Sequence, residues 1–172
     1  MPILDFSQSN PLSDGRQSER ALSIRRGVVR HFQELGVSMI AELALASGRR
    51  ADLIGMDRKG KFVIIEIKSS IEDFKADRKW PEYLVHCDHY FFATHGEVPM
   101  EIFPEDQGLI VADHYGAEIV RPSQDFSMAG ATRKALTLRF ARAAADRLER
   151  VLSHCSDNGD PLPSGLKDIT GQ

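Results

Sequence analysis

Two segments of the chain show the hydrophobic spacing of an α-helix. Over residues 17–35 apolar side chains recur at intervals of three and four, and Gly36 follows as a stop signal. A longer segment over 131–154 carries one apolar stripe, formed by Leu136, Phe140, Ala144, Leu148 and Val151. The pattern therefore predicts one helix near each end of the chain.

Between these helices the apolar pattern becomes that of β-strands. Short alternating or continuous apolar runs, bounded by turn residues, occupy 37–46, 51–56, 61–68, 89–94, 108–113 and 117–122. The first run alternates, so that Glu42 shares a face with Ile40 and is opposite to Met39, Ala41 and Leu43.

A shorter helix is predicted over 71–79, after the third strand. Ser69 and Glu72 have the spacing of a capping box at its start, and Pro81 kinks or restarts it. Strands that alternate with helices are typical of the α/β class. We expect one domain over 1–155, with a loose lead-in over 1–14 and a flexible tail over 156–172.

Composition narrows the protein class only a little. The 172 residues are 42% hydrophobic and 27% charged, which is ordinary for a globular protein. No membrane-spanning run or signal peptide is visible, so we expect a cytoplasmic protein without a membrane partner. The formal net charge of −3 excludes a surface that is basic throughout. Any binding of nucleic acid therefore needs a local basic patch.

The second and third strands form a hairpin whose register can be counted. A three-residue loop over 58–60, with Gly60 in the left-handed position, makes Asp57 face Lys61. Counting outward from that pair, Asp52 faces Glu66. Lys68 shares the face of Glu66, while the side chain of Ile67 points to the other face and leaves only its carbonyl oxygen.

Two carboxylates directly opposite each other destabilise a sheet unless a positive charge neutralises them. A divalent metal ion would do so, but an ordinary ion pair with Lys68 would do so as well. The residues alone leave both interpretations open.

Longer sequence strings add a family resemblance. Asp52 followed by Glu66, Ile67 and Lys68, within this order of helices and strands, resembles the PD-(D/E)XK nuclease superfamily. The strings ELALASGRRADL, EIKSSIEDFKADRKWPEY and CDHYFFATHGEVP, through GLIVAD, are similar to those of the MmcB-like DNA repair proteins. The resemblance runs over 19–145. Ala51 departs from the superfamily pattern, because it stands where the proline of the motif name would be.

The resemblance implies a restriction-endonuclease-like fold with a mixed central sheet flanked by helices. It also implies that Asp52, Glu66 and the carbonyl of Ile67 hold Mg²⁺ or Mn²⁺, and that Lys68 acts in catalysis. A lysine beside two carboxylates prefers to stay charged, so we expect it to act electrostatically.

A further catalytic acid is expected, and Glu42 and Glu19 compete for this role. We favour Glu42, because its strand face is packed, whereas Glu19 in the first turn of a helix has an adequate role as a dipole partner. Tyr83, four residues after Lys79, resembles an accessory residue of related nucleases and is equally explained as a core aromatic. The candidate DNA-binding residues are Arg49, Arg50, Lys75, Arg78 and Lys79, which could also be a solvated surface.

Three functions follow as alternatives. The first is a metal-dependent endonuclease that hydrolyses DNA in repair, with DNA and other DNA repair proteins as partners. The second is a non-catalytic module on the same fold that binds DNA or protein. The third is a nuclease that acts on RNA.

Overall fold

A mixed sheet of six strands, in chain order, organises the first part of the chain. The computed structural model describes residues 18–163 and 166. The strands are β1 (Ser38–Ala44), β2 (Arg50–Met56), β3 (Phe62–Ile67), β4 (His89–Thr94), β5 (Gly108–Ala112) and β6 (Ala117–Arg121). The β3–β4 and β4–β5 pairs are parallel, and the other three pairs are antiparallel. The predicted α/β class and mixed sheet are confirmed.

Within the described residues, three α-helices and two 3₁₀ helices accompany the strands. The α-helices are α1 (Glu19–Glu34), α2 (Ile71–Ala76) and α3 (Gly130–Asn158). The 3₁₀ helices are Trp80–His86 and Met100–Ile102, of which the second was not predicted. No helix in the described ranges is both long and apolar enough to cross a membrane.

The chain divides into two compact units, Met1–Met128 and Ala129–Gln172. The expected single domain over 1–155 stays a prediction. The lead-in predicted over 1–14 lies outside the described residues. At the other end α3 is longer than predicted and includes residues 156–158 of the predicted tail. Of the predicted apolar stripe of α3, Leu136 and Phe140 are buried, whereas Ala144 and Val151 are exposed.

Helices cover both faces of the sheet in the first unit. On one face the apolar side of α1, with Ile24, Val28 and Phe32, packs into a core with Leu53, Ile65 and Phe91. On the other face the rings of β4 contact aromatic side chains that follow the third strand. Phe92 meets Phe74 of α2 at 5.5 Å between ring centroids, and Trp80 stacks on Tyr90 at 5.8 Å.

The cap of α2 differs from the predicted capping box. Ser70, and not Ser69, is the N-cap, and its hydroxyl accepts a hydrogen bond from the backbone of Asp73 at 3.1 Å. The carboxylate of Asp73 in turn accepts one from the backbone of Ser69 at 3.0 Å. The box is thus shifted by one residue, with Asp73 in the place predicted for Glu72. The helix ends at Ala76, and Pro81 lies in the first turn of a separate 3₁₀ helix.

Candidate active site

The open end of the β2–β3 hairpin brings Asp52 and Glu66 together. The predicted register is confirmed, because Met56 pairs with Phe62 and Ile54 with Ile64. Beyond the last backbone pair, the Asp52 N–H donates to Glu66 Oε1 at 3.1 Å. The Ile67 N–H donates to Asp52 Oδ2 at 2.8 Å. Each carboxylate therefore replaces a backbone partner at the point where the two strands separate.

The turn of the hairpin fixes where Asp52 and Glu66 fall in the register of the two strands. The Asp57 N–H donates to the Lys61 carbonyl at 3.0 Å, which makes that pair a hydrogen-bonded one. Such pairs alternate with non-hydrogen-bonded pairs along an antiparallel ladder. Counted on from the last pair, Leu53 with Ile65, Asp52 and Glu66 fall at a non-hydrogen-bonded position of this register.

Burial changes the titration of both acids. Burial raises the pKa of Asp52, with smaller contributions from the charges of Asp73 and Glu42, and these effects outweigh the hydrogen bond from Ile67 and the charge of Lys68. Burial raises the pKa of Glu66 well above its usual range, and the neighbouring charge of Asp52 raises it further. Without a bound cation, the ionised forms of both acids are therefore less favourable here than they would be in water.

Lys68 is buried beside the acids, and Asp77 holds its ammonium group. Lys68 Nζ lies 2.7 Å from Asp77 Oδ2 and 3.9 Å from Glu66 Oε2. Burial by itself lowers the pKa of Lys68, but the hydrogen bond to Asp77 and the charges of Glu66 and Asp52 outweigh it and raise the pKa. A raised pKa agrees with the expectation that this lysine keeps its charge.

Sequence reasoning missed Asp77. It is the C-cap of α2, and the contact with Lys68 lowers its pKa although burial alone would raise it. A signal was available, because Asp73 and Asp77 are four residues apart and fall on one side of a helix that directly follows Lys68.

Glu42 lies near Asp52, and its backbone is unusual. The neighbouring pairs Ala41 with Leu53 and Leu43 with Ala51 place it opposite Asp52 in the register. Its φ of 52° falls in the left-handed region, which is strained for a residue other than glycine. Its side chain is 13% exposed, and Oε1 lies 3.8 Å from Arg50 Nη2.

Glu19, the competing acid, is exposed in the first turn of α1. Within residues 18–163, no hydrogen bond or ion pair connects it to Asp52 or Glu66. The register thus sets Glu42 opposite Asp52, whereas no such contact links Glu19 to the acid pair within residues 18–163.

The oxygen atoms at this site are of the type that binds a hard divalent cation. Among the described residues, no group of three His, Cys, Asp or Glu side chains could hold a metal ion. The possible metal ligands are therefore the carboxylates of Asp52 and Glu66 and the carbonyl oxygen of Ile67. Because the N–H of Ile67 points towards β2, its carbonyl oxygen faces β2 as well. Carboxylate and carbonyl oxygens are the ligands that Mg²⁺ and Mn²⁺ prefer, and a cation would relieve the repulsion between the acids.

The predicted DNA-binding residues do not form a uniformly basic surface. Arg49 makes a two-pronged ion pair with Glu82, at 2.8 and 3.0 Å, and this hydrogen bond raises the pKa of Arg49. Lys75, Arg78 and Lys79 are exposed around α2, where Glu72 and Glu82 are exposed too.

Tyr83 is a buried aromatic of the core. Its ring stacks on Tyr90 at 6.3 Å, and its hydroxyl donates to the Arg50 carbonyl at 2.9 Å. Burial, with the charges of Glu66 and Asp52, raises its pKa. The core interpretation accounts for these contacts, and the hydroxyl also fixes the backbone two residues before Asp52.

Comparison with known proteins supplies the family. The model of the family described as DNA repair protein MmcB-like matches residues 8–155. The chain belongs to the MmcB-like family. A role in DNA repair follows from this membership. A solved structure, the SPO1766 protein of unknown function from Silicibacter pomeroyi, is similar to this MmcB-like protein with a TM-score of 0.76 and 40% sequence identity. The match covers 85% of this chain and 98% of that chain. No curated protein matches the sequence.

Proposed function

We propose that this MmcB-like protein is a Mg²⁺- or Mn²⁺-dependent nuclease of the PD-(D/E)XK type that hydrolyses phosphodiester bonds of DNA during repair. The observation that carries the proposal is the convergence of Asp52, Glu66 and Lys68 on one sheet face at the open end of the hairpin. Buried like charges in this arrangement cost stability, which a purely structural role does not require.

In this proposal Asp52, Glu66 and the Ile67 carbonyl hold the metal ion. When bound, the ion supplies positive charge for a phosphate oxygen and lowers the pKa of a water molecule. The water gives up one proton to solvent as its oxygen bonds to phosphorus, the bond from phosphorus to the leaving sugar oxygen breaks, and that oxygen takes up a proton. Glu42, beside Asp52, is the further acidic residue that we propose for the catalytic site.

Lys68 is proposed to stabilise the negative charge that develops on the phosphate. Its ammonium group has three N–H donors, so it keeps its contact with Asp77 while it donates to a phosphate oxygen. Its raised pKa argues against a role as general base, because a charged ammonium has no free electron pair.

The test is a cleavage assay on labelled DNA substrates: single strands, duplexes, nicks, flaps and junctions. We expect cleavage of at least one substrate with Mn²⁺ or Mg²⁺, and none in EDTA or with the Asp52→Ala variant. Absence of cleavage across the whole set with both ions would refute the nuclease. Stronger cleavage of matched RNA than of DNA would instead support the RNA-acting alternative.

A second candidate function is a non-catalytic DNA- or protein-binding module. The observation that favours it is that both carboxylates already accept backbone hydrogen bonds and Lys68 is held by Asp77. The module predicts normal DNA affinity together with no cleavage and no effect of Mn²⁺ on thermal unfolding.

A further inference from the structure

An arginine-rich surface lies on α1, on the sheet face opposite to Asp52 and Glu66. Arg25, Arg26 and Arg30 line a groove of about 440 Å³. Apolar side chains complete part of its lining: Val29, Met39, Ala41 and Leu53. In the described part of the chain, no carboxylate forms an ion pair with these three arginines, whereas Arg20 of the same helix pairs with Glu97 at 2.9 Å.

Two of the arginines reach the turn between β5 and β6. Arg30 Nη1 donates to the Tyr115 carbonyl at 2.9 Å, and Arg26 Nη1 lies 3.5 Å from His114 Nδ1. These contacts use one N–H of each guanidinium, which has five. The remaining donors are available for an anionic ligand, and the contacts hold the side chains in place.

Tyr115, whose carbonyl accepts the hydrogen bond from Arg30, is largely exposed to solvent. It is 78% exposed, and the ring of His114 packs edge-on against it at 5.4 Å. The turn that carries it is fixed, because Asp113 Oδ1 accepts hydrogen bonds from the backbone of Tyr115 at 2.7 Å and of Gly116 at 3.0 Å. A large exposed ring on a fixed turn is suited to stack against a flat ligand.

Gly27 brings the turn and the helix into direct contact. A Cβ atom at this position would lie 2.2 Å from the Asp113 carbonyl oxygen and 2.3 Å from that of Gly116. Any larger residue would push α1 away from the turn. The sequence thus sets Tyr115 next to Arg26 and Arg30 by a close backbone approach.

We propose that this arginine–tyrosine surface, formed by Arg25, Arg26, Arg30 and Tyr115, binds single-stranded DNA. Guanidinium groups match phosphate oxygens in charge and geometry, and an exposed aromatic ring stacks on a base that is not paired. A duplex keeps its bases stacked on one another, so it offers nothing to Tyr115. DNA is the nucleic acid that the family's repair role implies. The surface is separate from Asp52 and Glu66 and requires no metal ion.

The experiment measures binding of fluorescein-labelled oligothymidylate by anisotropy, in EDTA and over a series of salt concentrations. Replacing Arg25, Arg26 and Arg30 together with Gln should weaken binding at least about tenfold at low salt. It should reduce the slope of log K against log salt by about 2, which corresponds to three phosphate contacts on a single strand. Tyr115→Ala should weaken binding about tenfold and leave the slope unchanged, because stacking releases no counterions.

The matched control replaces Arg58, Lys59 and Lys61 with Gln, which removes the same charge from exposed positions at the β2–β3 turn. Equal losses in the control and in the arginine variant would overturn the proposal, because net charge would then explain both. Unchanged binding by the arginine variant would also overturn it. Duplex DNA or oligouridylate bound as tightly as oligothymidylate would refute the single-strand or the DNA assignment, respectively.

These outcomes are distinguishable from failure of the nuclease. A protein that binds oligothymidylate in EDTA but cleaves nothing with Mn²⁺ keeps this surface and loses the nuclease. A protein that cleaves DNA while the arginine variant binds like wild type loses only the surface.

Discussion

At both ends of the β2–β3 hairpin, carboxylates accept hydrogen bonds from the backbone, but the surroundings differ. At the turn, Asp57 Oδ1 accepts hydrogen bonds from the backbone of Lys59 at 2.8 Å and of Lys61 at 2.9 Å. At the open end, Asp52 and Glu66 accept backbone hydrogen bonds in the same way. The turn is solvated and has one carboxylate, whereas the open end is largely buried and has two.

The difference shows what makes a carboxylate a functional candidate. A carboxylate that accepts backbone hydrogen bonds near solvent is explained by the turn it stabilises. The same bonds at the open end do not offset the burial of two like charges, since the pKa of both acids is raised despite them. The remaining unfavourable charge is what a cation would relieve.

The largest effect is expected from removing the lysine at the open end. Lys68→Ala should reduce cleavage by about 10³-fold, about 4 kcal/mol, because a charge aimed at the transition state is lost. Metal-induced stabilisation should persist, since Lys68 is not a ligand. Lys61→Ala, at the turn of the same strand, is the control and should cleave normally. Equal rates for the two variants would remove Lys68 from the mechanism.

The next effect is on the pH dependence of stability. The folded-state pKa of Glu66 lies above its unfolded value, so its contribution to stability is fully present below the ordinary glutamate pKa. That contribution is lost as pH rises towards the raised pKa. Glu66→Gln removes this loss. In wild type, the free energy of unfolding should fall by at most about 1.4 kcal/mol per pH unit for one proton.

Urea unfolding of wild type and Glu66→Gln across this pH range, without divalent ions, measures the difference. The variant should gain stability relative to wild type as pH rises. Parallel curves would mean that Glu66 titrates alike in the folded and unfolded chain.

A smaller effect is expected from neutralising the other acid. Asp52→Asn keeps an acceptor for the Ile67 N–H and removes the like charge, so without metal it should be more stable than wild type by about 1 kcal/mol. Mn²⁺ should raise the melting temperature of wild type and have little effect on Asp52→Asn. Asp57→Asn, the matched change at the turn, should respond to Mn²⁺ as wild type does. An equal response in all three proteins would place the ion elsewhere.

The smallest effect concerns the turn that leads into the open end. Because Glu82 already pairs with Arg49, Arg49→Ala should change DNA affinity less than about twofold and have little effect on stability. In a Glu82→Gln background the same change should reduce affinity more and flatten the salt dependence. A large loss from Arg49→Ala alone would show that DNA displaces Glu82.

The sequence by itself determined the parts of this protein that depend on local periodicity and on turn chemistry. The strand pattern and the three-residue loop with Gly60 were sufficient to pair Ile54 with Ile64 and to set Asp52 opposite Glu66. Register is predictable here because strand side chains alternate with a period of two and the loop fixes the starting pair.

Only the tertiary structure decided which distant charges meet. Glu82 reaches Arg49 because the 3₁₀ helix Trp80–His86 lies beside the start of β2, where Tyr83 also bonds to the Arg50 carbonyl. The approach of Tyr115 to Arg30 likewise joins residues far apart in the chain. Such contacts depend on how helices pack on the sheet. The free energy of that packing is spread over many apolar side chains, so no short sequence motif predicts it.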